Sequence, residues 1–300
     1  MKSTKIVLAS CCAALTAMTL TPRAGAAPEP VPARIAVLTP GTTWSAVQEG
    51  LEEGLVRLGY STGKNIAFVI EDTHGSSADL GARAAKLLSA KPHVLFAVST
   101  EHARAAKRAT STVPIVFAWV GEPVSAGLIE SYPYSRSNVT GVTSISDSLS
   151  GKRLEVLLEI APKVKRVLAI VSPKESISTS SFRSLEPAAK KFGIQLIRRD
   201  ASDRQEIADA LDKMPRGGAD AIFFIPSLVS RTNIDLLVQR ANGEKIPLVV
   251  TEEALLDRGA LLSYGPNLRL LGGQAADLVD KILHGAKPGE IMIEGPERFS

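Results

Sequence analysis

Val37-Leu-Thr-Pro40 and Ile170-Val-Ser-Pro173 are one motif written twice: two aliphatic residues, a hydroxyl residue and a proline, each closing an apolar run. Leu58-Gly59 recurs as Phe192-Gly193, and Val113-Pro-Ile-Val116 recurs as Ile246-Pro-Leu-Val249, at offsets of 133, 134 and 133 residues for the three pairs. Matches held at one spacing indicate a duplicated unit.

Outward from Val37, Arg34–Thr39 reads as a strand, and Val47, Leu51, Leu55 and Leu58 then share one helical face before Gly59. The alternation continues with strand 66–70, a helix bearing Leu80, Ala84, Leu87 and Leu88, strand 93–98, a short helix from Glu101, and strand 114–119. The second series has strand 166–171, a helix ending at Phe192-Gly193, strand 194–198, a helix with Ile207 and Leu211, strand 221–225, a helix with Ile234, Leu237 and Val238, and strand 247–250. Strands apolar on both faces and alternating with helices predict α/β architecture, two similar lobes each with a parallel sheet covered by helices on both faces. The expected division is 1–26 as a signal peptide, 33–137 as an amino-terminal lobe completed by a helix at about 266–285, 138–146 as a hinge connector, 147–262 as the second lobe and 286–300 as a final crossover.

Composition is globular, with 45% hydrophobic and 22% charged residues in 300. Lys2 and Lys5 precede an uncharged run from Ile6 to Leu20 and the small-x-small tripeptide Ala24-Gly-Ala26, which reads as a secretory signal. Leu8-Ala-Ser-Cys11 is a second reading, a lipobox, but only five residues separate Lys5 from Cys11, fewer than the roughly 7 of a short hydrophobic region. Both cysteines lie in this segment, so the exported chain has no thiol or disulfide to rely on. Removing it leaves 32 basic and 31 acidic residues, a balance that does not point to nucleic acid or an anionic membrane.

In open α/β sheets ligands sit beyond the carboxyl ends of the strands, where helix amino termini present free N–H groups. Those ends carry Thr39, Thr42, Thr43, Ser99 and Thr100 in the first lobe, and Ser172, Ser178, Ser180, Ser181, Ser227 and Thr251 in the second. Hydroxyls with helix N–H groups suit a carboxylate or polyhydroxy solute; singly, each is also an ordinary helix cap. Trp119 could stack a planar ligand part or fill core, as could Trp44, with core packing favoured for Trp44. Glu122 and Glu252 occupy matching places after apolar strands, as counter-charges, an interlobe ion pair or plain loop charges, and Tyr264 lies at a turn beside the expected hinge.

Pro114-Ile-Val-Phe-Ala-Trp-Val-Gly-Glu-Pro-Val-Ser-Ala-Gly-Leu128, Asn138-Val-Thr-Gly-Val142, Ser263-Tyr-Gly-Pro266 and Ile282-Leu-His-Gly-Ala-Lys-Pro288 together resemble the substrate-binding proteins of ABC transporters, in the branch with the type I periplasmic binding fold that includes tryptophan- and tyrosine-binding members. The resemblance covers about 33–299. It implies a monomeric periplasmic receptor without cofactor or metal, a three-segment hinge, closure around a small solute (amino acid, aromatic or carboxylate-like), and delivery to permease and ATPase subunits; a sensory receptor reporting to a membrane protein is the alternative. It also implies a further strand and helix beyond Phe299, so at Ser300 either a tail is missing or the edge is looser. Amino-acid-binding members tend to carry an acid just after the proline that ends the strand at 221–225, whereas Pro226 is followed here by Ser227-Leu-Val229. An ammonium would then need a counter-charge from elsewhere.

No enzyme is expected. His74, His93, His102 and His284 are dispersed, and HExxH, G-x-S-x-G, P-loop and GxGxxG patterns are missing. A repressor effector domain is disfavoured by the leader and by the lack of a helix-turn-helix before Arg34.

Overall fold

The computed structural model describes residues 32–41, 44–145 and 148–299. The expected signal peptide and lipobox lie outside the described residues. Among the described residues no helix is long and apolar enough to cross a membrane.

The first lobe contains β1 (Ala33–Thr39), α1 (Ser45–Arg57), β2 (Ile66–Asp72), α2 (Leu80–Ser89), β3 (Val94–Val98), α3 (Thr100–Ala109), β4 (Ile115–Val120) and β5 (Val139–Thr143). These strands form one parallel sheet in the order β2-β1-β3-β4-β5. β3, β4 and β5 are buried throughout, as strands covered on both faces must be, which is why they read as continuous apolar runs.

The second lobe contains α4 (Ser150–Ile160), β6 (Arg166–Val171), α5 (Ser176–Phe192), β7 (Gln195–Asp200), α6 (Arg204–Asp212), β8 (Ala221–Phe223), α7 (Leu228–Thr232), α8 (Ile234–Glu244), β9 (Leu248–Val250) and β10 (Leu262–Ser263). Its parallel sheet runs β7-β6-β8-β9-β10, the same strand permutation as the first. The duplicated sequence has therefore produced a duplicated topology. α7, β10 and the short 3-10 turn Glu253–Leu255 are elements that the apolar pattern did not reveal.

α9 (Leu268–Leu283) returns to the first lobe and packs along α1. The approach is close enough to require glycine, because a Cβ on Gly272 would meet the Val47 carbonyl oxygen at 2.0 Å. Beyond α9 the chain follows the edge of the first sheet, with bridges from Met292 to Tyr134 and from Glu294 to Val142, and ends with Phe299 bridged to Pro266 at the crossing between lobes. Each lobe holds two hydrophobic clusters, one on either face of its sheet.

Candidate functional site

In each lobe the connections leave adjacent strands toward opposite sides, at β1 and β3 and again at β6 and β8. A crevice opens beyond the carboxyl ends of such a pair. Residues at the two crevices touch. Trp44, just before α1, and Trp119, near the end of β4, pack edge to face with ring centroids 5.4 Å apart and planes at 67°. Arg231 of α7, from the opposite lobe, lies with its guanidinium carbon 4.9 Å from the Trp44 ring centroid. Its Nη1 pairs with Glu252 Oε2 at 2.6 Å, and the Thr251 hydroxyl donates to the same oxygen at 2.5 Å. Arg231 and Glu252 are 3% and 2% exposed; charges so deeply buried persist only when paired.

Two strand ends in the first lobe are held in unusual backbone conformations. Trp119 has φ 59° at a register shift between β4 and β5, so a bulge re-aims its side chain into the cluster that holds Trp44. Ser99 has φ 85° and ψ 160°, a region natural to glycine and costly for serine. Its Oγ lies 2.8 Å from His102 Nδ1, and the Thr73 hydroxyl lies 2.9 Å from His102 Nε2. Burial, with Arg83 nearby, pushes the His102 pKa down to about 3, so the imidazole is neutral and serves as a scaffold.

A second set of contacts joins the lobes. Leu228 of the second lobe is buried in the cluster of Trp44, Trp119 and Leu268. Glu175, ahead of α5, accepts the backbone N–H groups of Leu228 at 2.6 Å and Val229 at 3.2 Å. The Glu101 carboxylate of α3 lies near the backbone N–H of Ser176 in the second lobe, which favours its charged form. Burial raises the pKa of both carboxyls, and the Glu101 charge raises Glu175 further.

Eight buried polar atoms on the strand ends and helix starts of the two lobes have no protein partner: Trp44 Nε1, Thr100 Oγ1, Glu101 Oε1 and Trp119 Nε1 from the first lobe, and Ser176 Oγ, Ser181 Oγ, Ser230 Oγ and Glu252 Oε1 from the second. Such an atom costs about 1–3 kcal/mol if left unsatisfied, so each calls for a partner that the protein itself does not supply. Beside the Arg231–Glu252 pair a cavity of about 400 Å³ is bounded by Ala46, the turn from Glu252 to Asp257, and Pro266–Arg269 at the interlobe crossing.

Of the strand-end residues named from sequence, Thr100, Trp119, Ser181, Thr251 and Glu252 are buried at or beside this junction. Others have local duties. Thr39 Oγ1 accepts Gly41 N–H, Ser178 Oγ accepts Ser172 N–H, Ser172 in turn bonds Glu175, and Ser227 caps α7 by accepting Ser230 N–H at 2.8 Å. The Ser180 hydroxyl donates back to the Ile177 carbonyl. Glu122 is half-buried and accepts Val124 N–H, while Tyr264 stacks on Phe299 at the crossing, 6.1 Å between centroids. Thr42 and Thr43 lie outside the described residues. Arg231 and Glu175 were not read as site residues: arginine in a polar helix signals solvent, and α7 itself was not anticipated. Arg153 of α4 was also missed. It is fully buried over the Phe223 ring, with Nη2 donating to Ser150 Oγ at 3.0 Å.

A family model described as ABC transporter substrate binding protein matches residues 34–299. The tyrosine-binding protein of Clostridioides difficile is 30% identical over 247 residues, covering 82% of this chain and 70% of that protein. Among solved structures, a conserved domain protein from Vibrio cholerae superposes with TM-score 0.84 at 29% identity, covering 89% of this chain and 90% of that one. An ABC domain from Streptococcus pneumonia in complex with L-Trp superposes with TM-score 0.82, covering 88% and 89%; at 21% identity this is a likeness of fold.

Proposed function

The chain belongs to the family of ABC transporter substrate-binding proteins, and on that premise we propose that it is the exported solute receptor of an importer. It takes one small organic solute between its lobes in the periplasm and presents it, as a monomer, to a membrane permease whose partner subunits use ATP. No covalent step occurs on this chain. Trp44 and Trp119 provide the aromatic wall, and Thr100, Ser181 and Ser230 supply hydroxyls from both sides. The observation that carries the proposal is the set of eight unpartnered polar atoms, four from each lobe, buried near where the lobes touch. A ligand touching both halves binds the closed form better than the open one and so shifts the equilibrium between them.

A thermal-shift screen of amino acids, small carboxylates, nucleobases and ureas tests it. A true ligand at a hundred times its Kd stabilises by about 2.7 kcal/mol, a rise of several degrees, and it should also reduce the radius of gyration in solution scattering. Silence of the whole panel at millimolar concentration would count against a transport receptor.

A further inference from the structure

The junction between the lobes is poorly suited to a positively charged solute. Three carboxylates face it, and each is engaged by the protein: the half-buried Glu101 pairs with Arg104 at 3.6 Å. Glu175 receives two N–H groups of the first turn of α7, beside Ser227, whose own hydroxyl caps that helix. Glu252 is paired with Arg231. An ammonium brought into this site would be a buried charge without a counter-charge. What the site leaves open is neutral hydrogen bonding. The two indole N–H groups of the first lobe can only donate, Glu252 Oε1 of the second can only accept, and the hydroxyls of Thr100, Ser181 and Ser230 can do either. These groups are neighbours in a chain of contacts, from Trp119 to Trp44, to Arg231, to Glu252, so one small molecule can reach both kinds.

We infer that the cleft is built for a small planar solute without positive charge whose polar edge carries an acceptor and a donor together, the chemistry of an amide, lactam or ureide. The acceptor faces Trp44 and Trp119 Nε1–H, and the donor faces Glu252 Oε1. This rests on the receptor reading above and narrows its solute class.

Calorimetry on the purified protein with uracil and nicotinamide (neutral), L-tyrosine and L-tryptophan (zwitterions), benzylamine (cation) and benzoate (acceptor only) tests it, with lobe closure followed by scattering. A neutral compound should bind at least tenfold more tightly than every charged one. Trp119→Phe, which keeps a ring and removes the N–H, should weaken it about threefold to tenfold without changing the circular dichroism spectrum. Glu252→Gln, which removes the negative charge beside Arg231, should move the preference toward benzoate. Tightest binding with closure by an amino acid, benzylamine or benzoate overturns this inference and leaves the receptor reading intact. Absence of both binding and closure across the panel overturns the two together. Unchanged affinity in Trp119→Phe also overturns the assignment.

Discussion

Leu228→Ala tests whether the lobes close by burying a hydrophobic side chain of one in the core of the other. Leu228 belongs to the second lobe by chain position, yet it is 4% exposed and packs with Trp44, Trp119 and Leu268 of the first. Its backbone N–H, held by Glu175, survives the substitution, and alanine favours the helix, so α7 should persist. Removing three carbons at about 0.8 kcal/mol each gives roughly 2 kcal/mol. In an ordinary core position that loss appears in folding. Here Leu228 leaves the first lobe whenever the lobes part, so the loss falls on closing, and about 2 kcal/mol corresponds to a roughly thirtyfold weaker apparent affinity. Calorimetry with the identified solute reads the affinity, and differential scanning calorimetry of the free protein reads stability. The expected pair is a weakening near thirtyfold with Tm changed by no more than a degree or two. Unchanged affinity together with a Tm several degrees lower would make Leu228 a static core residue and refute the reasoning.

Three further outcomes follow from the structure. His102, with a folded pKa of about 3 against an ordinary 6.5, contributes stability that is complete above pH 6.5 and lost as pH falls toward 3. Between pH 6.5 and 5 this is roughly 2 kcal/mol at 1.4 kcal/mol per unit, and urea unfolding at the two pH values should show the loss in the native protein but not in His102→Gln. Ser227→Ala removes the α7 cap and should cost about 1 kcal/mol of stability with affinity kept within twofold; a tenfold loss of affinity would instead put Ser227 on the ligand. Gly272→Ala places a Cβ against the Val47 carbonyl and 2.7 Å from the Leu51 nitrogen, so the α1–α9 contact must open at a cost of about 3 kcal/mol, read as a lowered Tm.

The architecture was legible because its signals are local and repeated. Apolar runs such as Val94–Val98 carry strand character in their own composition, and the offset near 133 residues implied that both lobes would share one strand order. The site was legible only by position. Strand ends point to Thr100, Ser181 and Glu252, but the same rule also gathers Ser178, Ser180 and Ser227, whose hydroxyls are taken by neighbouring backbone. A hydroxyl that caps and one that waits for a ligand are the same residue type, and only the inventory of partners separates them. Trp119 was ambiguous for another reason: the bulge that aims it involves no glycine and is imposed by tertiary pairing of β4 with β5. Arg231 was invisible because its meaning comes from Trp44 and Glu252, respectively 187 positions before it and 21 after it in the chain.

The distribution of cores explains how this fold can move without unfolding. Each sheet is sandwiched by two clusters of its own, so separating the lobes leaves nearly all buried apolar area in place. What separation does expose is specific: Leu228, the Arg231 guanidinium over Trp44, the approach of Glu101 to Ser176, and the contact of Gly75 with Thr232. Opening removes Arg231 from Trp44 but leaves its pair with Glu252 intact, since both partners belong to the second lobe. The buried charge is thus compensated in either state, and closing requires desolvation of a neutral pair instead of a lone cation. Under the proposed reading, that arrangement keeps the cost of closure low enough for a small uncharged solute, which brings only a few hydrogen bonds, to decide the balance between open and closed forms.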